Sequence, residues 1–152
     1  MSFNFLEVQK AIQELTEKVC VAGAVVKRVS LVNFALPRPV VDLNLGFELE
    51  LRDGVSKWLV FCLQNPYTGV FLTDPARIRA LHPSEWGKAF HGSQPWGELI
   101  VGGKIESISV VHNERVVEID FFKKVKLTLE LFPARPNWIL KFEDTTLSWR
   151  EG

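Results

Sequence analysis

The chain has 152 residues, 18 of them basic and 18 acidic, so its net charge is zero with histidine neutral. A hydrophobic fraction of 47% and a charged fraction of 24% are those of a globular chain and exclude a disordered one, which lacks the apolar surface to offset ordering entropy. The length predicts one domain over 1–152, and the neutral balance speaks against nucleic-acid binding by bulk charge alone.

The first element reads as an amphipathic helix. Phe5, Val8, Ile12, Leu15 and Val19 follow steps of three and four and form one stripe. Asn4 with Glu7 resembles a capping box, and Gly23 closes the element. A Val-rich strand is expected over 24–32, then a loop at Pro37-Arg38-Pro39, which no central strand tolerates. Residues 42–51 alternate: Leu43, Leu45, Phe47, Leu49 and Leu51 share one face, and Asp42, Asn44, Gly46, Glu48 and Glu50 the other. That period of two predicts a strand with one dry and one wet face. Asp53-Gly54 marks a hairpin turn into a strand over 57–63, and Asn65-Pro66 turns the chain into another over 69–72.

Residues 74–98 are punctuated by proline and glycine. Ser84 can cap a helical turn carrying Trp86 and Phe90, and Trp96, Leu99 and Ile100 suggest a second short helix ending at Gly102-Gly103. Strands return over 104–111, 115–121, 125–131 and 138–142, where Val117, Ile119 and Phe121 alternate with Glu118 and Asp120. The expected fold is α+β: seven or eight short strands in two small antiparallel sheets stacked as a β-sandwich, with an N-terminal helix and short middle helices.

No catalytic constellation stands out. His82, His91 and His112 show no metal-ligand spacing, and two cysteines, Cys20 and Cys62, sit in apolar runs as small hydrophobes. No phosphate loop, dinucleotide fingerprint or nucleophile elbow is present. The pairs Glu48 with Glu50 and Glu118 with Asp120 fall where solubilising charges belong. Neither a cofactor nor a metal is expected. Of five tryptophans, Trp58 and Trp138 read as core, while Trp86, Trp96 and Trp149 suit core packing first and a stacking platform or partner groove second. Lys123, Lys124 and Lys126 cluster at one hairpin, with Lys104, Arg115 and Arg135 at strand ends of the same third, where convergence would make a phosphate site.

The order of these pieces resembles the NFACT N-terminal domain family, also described as fibronectin-binding protein A-like. The opening MSFNFLEVQKAIQELTEKV, the turn LQNPYTGVFLTDP, the stretch WGELIVGGKIESISVVHNERVVEIDF and the run LTLELFPARPNWIL carry the likeness, in the family's order. The resemblance implies the amino-terminal sandwich of the formamidopyrimidine-DNA glycosylases. It also implies a role in ribosome-associated quality control through tRNA and the stalled large ribosomal subunit. The family's Asp-Arg pair for tRNA engagement falls on Glu114-Arg115, with the Arg kept and the Asp lengthened by a methylene. The family's Gly-Arg-His-Ser-Asn falls on 133–137, where only Asn137 matches. Long members of the family continue into further domains, so an excised domain or a stand-alone relative is expected. The glycosylases' Pro-Glu nucleophile is replaced by Ser2-Phe3, which argues against that chemistry.

The expectation is a non-catalytic, cytoplasmic RNA-binding module with no membrane segment, since no run of about 20 apolar residues occurs. Glu114 and Arg115 would make the main contact, supported by Lys104, Lys123, Lys124 and Arg135. The alternative is a protein-interaction module of the same fold without RNA binding.

Overall fold

The computed structural model describes residues 5–17, 21–34, 44–63, 68–80, 100–111, 114–122, 124–132 and 134–148. Helix α1 spans Phe5–Glu17 and buries Val8, Ile12 and Leu15, the centre of the expected stripe. Asn4, Val19 and the Phe5 side chain lie outside the described residues.

Among the described residues, ten strands form two antiparallel sheets. The first contains β1 (Val25–Phe34), β2 (Asn44–Glu50), β3 (Ser56–Leu63), β4 (Thr68–Thr73) and β5 (Ile78–Ala80), in the order β4-β3-β2-β1-β5. The second contains β6 (Ile105–Val110), β7 (Val116–Phe121), β8 (Val125–Glu130), β9 (Asn137–Phe142) and β10 (Thr145–Ser148), in the order β10-β9-β8-β7-β6. One apolar core fills the space between them, drawing Leu45, Phe47, Leu49 and Phe61 from the first sheet and Ile119, Phe121, Leu127 and Leu129 from the second. Phe47 meets Phe61 edge-on at 6.0 Å and Phe121 across the sheets at 6.4 Å, within the usual range for aromatic pairs. Helix α1 lies against β4 and β6 and adds its stripe to the same core. The α+β sandwich is therefore as expected, with β5 and β10 added. The expected middle helices of 84–98 fall outside the described residues, as do Trp86, Trp96, Trp149, Cys20 and the three histidines.

The sheets are stitched at one corner. Gly23 N–H donates to the Ile105 carbonyl at 2.7 Å and Ile105 N–H to the Ala24 carbonyl at 2.9 Å. Val26 N–H donates to the Gly103 carbonyl at 2.9 Å, and Gly102 N–H to the Val26 carbonyl at 2.7 Å. Gly102, at φ 86, occupies the left-handed region that favours glycine, so the Gly102-Gly103 pair is a turn. A second tie is the buried Thr68 hydroxyl, which donates to the Leu131 carbonyl at 3.0 Å.

The wet face expected for β2 is a correction. Asn44 is 1% exposed and Gly46 is buried. Val32, Trp58 and Val60 form a second apolar cluster on the outer side of the first sheet, backed by Phe71, Ile78 and Ala80. Gly46 sits beneath it: a Cβ there would lie 2.9 Å from Val32 Cγ1 and 3.0 Å from Trp58 Cε3. The polar face of β2 is wet only towards its end, at Glu48 and Glu50.

Candidate functional site

The register of the second sheet decides which cations meet. In an antiparallel meander, successive turns alternate between two ends. The β6–β7 and β8–β9 connections share one end, because Val110 pairs with Val117 and Glu130 with both Val116 and Asn137. The β7–β8 and β9–β10 turns share the other, because Val125 pairs with Phe121 and Phe142. Six-residue strands at about 3.3 Å per residue hold the two ends roughly 20 Å apart. The expected convergence of all the basic residues is thus replaced by two separate groups.

Glu114, Arg115 and Arg135 lie at the first end. Glu114 is exposed and Arg115 half-buried. The Glu114 N–H closes the turn onto the Val111 carbonyl at 3.1 Å, and the Arg115 carbonyl accepts from Leu131 N–H at 2.8 Å. That last bond ties the hairpin tip to the neighbouring loop, where Arg135 N–H donates to the Phe132 carbonyl at 3.1 Å. Phe132 is exposed there.

Lys104 and Lys124 lie at the second end. Phe122 N–H donates to the Lys104 carbonyl at 3.1 Å, and Phe122 itself is exposed. Lys124 ends a three-residue hairpin connection at φ 59, a position that usually takes glycine. Lys123 lies outside the described residues. A cation that the sequence did not single out joins this end: Arg52 packs over Gly23, where a Cβ would fall 3.1 Å from its Cδ. Gly23 is bonded to Ile105 beside Lys104. Arg52 stands alone in the turn after β2, so only the three-dimensional stitching reveals its neighbours.

The sheet faces carry balanced charge. Arg28 Nη2 reaches Glu48 Oε1 at 3.3 Å and its guanidinium stacks over Trp58 at 5.3 Å. Lys27 pairs with Glu50 at 3.6 Å. Lys126 reaches Glu118 at 3.3 Å and Asp120 at 3.8 Å, and the hydrogen bond to Glu118, with the charge of Asp120, raises its pKa. Lys57 donates to Asp74, and that hydrogen bond holds the Asp74 carboxyl below its usual range. The paired carboxylates are thus partners of cations on solvated surfaces. No group of three or more His, Cys, Asp or Glu able to hold a metal occurs among the described residues, and none of the described helices is long and apolar enough to cross a membrane.

A groove of about 370 Å³ opens between α1 and β6. Gln9, Gln13, Thr16 and Glu17 line its helix side and Ile108, Ser109 and Val110 its strand side. The sequence signal for it is faint: Gln9 and Gln13 are four apart on the polar face of a helix.

Solved structures that share this fold include two bacterial binding proteins. One is the fibrinogen binding protein from Staphylococcus aureus, with a TM-score of 0.68 and 17% identity, over 100% of this chain and 52% of that one. The other is the N-terminal part of the fibronectin/fibrinogen-binding protein from Streptococcus suis, with a TM-score of 0.69 and 16% identity, over 98% and 54%. The chain shares its fold with both proteins, in line with the fibronectin-binding protein A-like fold that the sequence resemblance implied. The chain spans about half the length of each. No family model and no curated protein matches the sequence.

Proposed function

We propose that this chain is a non-catalytic protein-binding module, comparable in role to the fibronectin- and fibrinogen-binding proteins whose fold it shares. The observation that carries the reading is the charge arrangement. Arg28, Lys27, Lys57 and Lys126 are held by acidic partners, and the described candidates Lys104, Lys124, Arg115 and Arg135 divide between two ends of a neutral chain. A polyanion rewards converging cations, whereas a neutral, mixed surface suits protein contact. The test is biolayer interferometry of the chain over immobilised fibronectin and fibrinogen. Saturable binding that persists above about 0.15 M salt, where exposed charges are screened over roughly 8 Å, supports the module. No binding to either protein refutes that role.

A second reading is supported by the hairpin tip. Glu114 and Arg115 stand at an accessible rim beside Arg135, which suits a contact with tRNA on the stalled large ribosomal subunit in the cytoplasm, in ribosome-associated quality control of the NFACT type. Anisotropy with labelled tRNA at several salt concentrations tests it. Arg115→Ala is expected to weaken binding about tenfold, from the loss of a bidentate contact of roughly 1–3 kcal/mol. A parent chain that ignores tRNA in low salt ends this reading.

A further inference from the structure

We propose that the groove between α1 and β6 takes an extended peptide segment carrying a basic residue, added to β6 as an extra strand. The proposal rests on the protein-binding reading and names its surface. Among the described strands, β6 is the last of its sheet and its ladder partner is β7. The direction of its backbone groups follows from the ladder. Val111 N–H donates to the Val116 carbonyl at 2.9 Å, so Val111 faces β7. Antiparallel strands alternate, so Ser109, opposite Glu118, also faces β7, while Val110 and Ile108 turn their N–H and C=O groups away.

The far end of the strand shows this outer side already in use. Ile105 donates to Ala24 and accepts from Gly23, and the irregularity between Ile105 and Ser107 resets the alternation. Residues 23 and 24 therefore stand where an added strand would begin. The next outward places, Ile108 and Val110, open onto the groove, and no described residue pairs with them.

Ladder groups with no partner among the described residues are the kind that extended backbone completes. The opposite wall supplies the rest of the chemistry. The Gln9 and Gln13 amides can both donate and accept, matching a peptide's own groups. Glu17, whose Oε1 accepts from Gln13 Nε2 at 3.3 Å, brings the one charge among the described lining residues, and a carboxylate at that end favours an added Arg or Lys. The volume sits at the small end of the roughly 300–1,000 Å³ typical of ligand sites, room for a short strand and not for a folded surface.

The probe is a fluorescein-labelled peptide, Thr-Val-Arg-Val-Thr-Val, alongside its twin N-methylated at alternate residues and a version with Glu for Arg. Anisotropy against the parent chain reads affinity, and amide hydrogen exchange by NMR reads location. The expected result is saturable binding below about 1 mM, at least about tenfold weaker for the N-methylated twin from two lost hydrogen bonds, and weaker for the Glu version. The amides of Ile108 and Val110 become protected. Val110→Pro removes an outward N–H without touching the β7 ladder and lowers affinity likewise, with circular dichroism confirming the fold. The N-methylated twin carries the test should that variant not fold. Equal binding of the twin, protection elsewhere, or self-association that protects Ile108 and Val110 without peptide overturns the proposal. If fibronectin or fibrinogen binds and the peptide does not, the groove fails while the module stands. If none binds, both fail.

Discussion

Gly46→Ala tests the unexpected dry patch on the outer side of the first sheet. The added methyl carbon would stand 2.9 and 3.0 Å from the two γ-carbons of Val32 and 3.0 Å from Trp58 Cε3. Val32 is 0% exposed and Trp58 is 2% exposed, so neither has open space to retreat into. Overpacking of this kind costs about 1–3 kcal/mol. Replacing glycine also restricts the unfolded chain, which returns about 0.4–1 kcal/mol. The net expectation is a loss of roughly 1–2 kcal/mol, or about 2–8 °C in Tm for a chain of this size. Thermal and urea melts followed by circular dichroism read it. The double variant with Val32→Ala removes the opposing methyls, so the two changes together should cost less than their sum by at least about 0.5 kcal/mol. A Gly46→Ala chain that melts at or above the parent temperature, with additive costs in the double variant, would refute the idea that Val32 and Trp58 close over this strand.

Other expectations follow from the same geometry. Lys124→Gly should raise Tm by a few degrees in a scanning melt, because the left-handed backbone at φ 59 costs a side-chain-bearing residue roughly 1 kcal/mol. Thr68→Val removes the hydroxyl that meets the Leu131 carbonyl and should cost about 1–3 kcal/mol in urea unfolding. Asp74 titrates below its ordinary value because Lys57 bonds its carboxylate, so its small contribution is present above the unfolded pKa and fades as pH falls through the folded one. Asp74→Asn should therefore flatten the acid limb of the stability curve below about pH 4. Lys126 has the opposite sign: its pKa is raised above 10.5, so its contribution is full at neutral pH and is lost in strong alkali.

The strands of the second sheet were legible because each buries one face only. Val117, Ile119 and Phe121 alternate with Glu118 and Asp120, and Val125, Leu127 and Leu129 alternate with Lys126, Thr128 and Glu130, so a period of two appears within a single segment. β5 has three residues and β10 one apolar side chain, too little for any period to register. β1 carries a register shift between Val26 and Arg28, which leaves Lys27 and Arg28 both exposed and breaks its alternation. The burial of Asn44 and Gly46 depends on Val32, Trp58 and Val60 of adjacent strands, a neighbourhood that no single strand encodes.

The candidate site was legible in part for a similar reason. The turn between two alternating segments puts Glu114 and Arg115 at a hairpin tip, and they stand there. Nearness in sequence groups Lys104 and Lys124 with them, whereas successive turns of a meander point opposite ways. Arg52 joins Lys104 through the stitching of Gly23 to Ile105, a contact between segments some 80 residues apart, and long-range pairing of this kind leaves no local pattern.

Each sheet is drawn from its own continuous stretch of chain: every described strand of the first precedes residue 81 and every described strand of the second follows residue 104. A polypeptide cut between β5 and β6 would yield two pieces, each with the five described strands of one sheet and a naked inner side. The first piece would also carry a helix whose buried stripe has lost its β6 neighbour. The two should seek one another through that shared oily interior and the Gly23–Ile105 clasp. This architecture thus lends itself to a split reporter, in which reassembly of the halves reads out the proximity of whatever is fused to them.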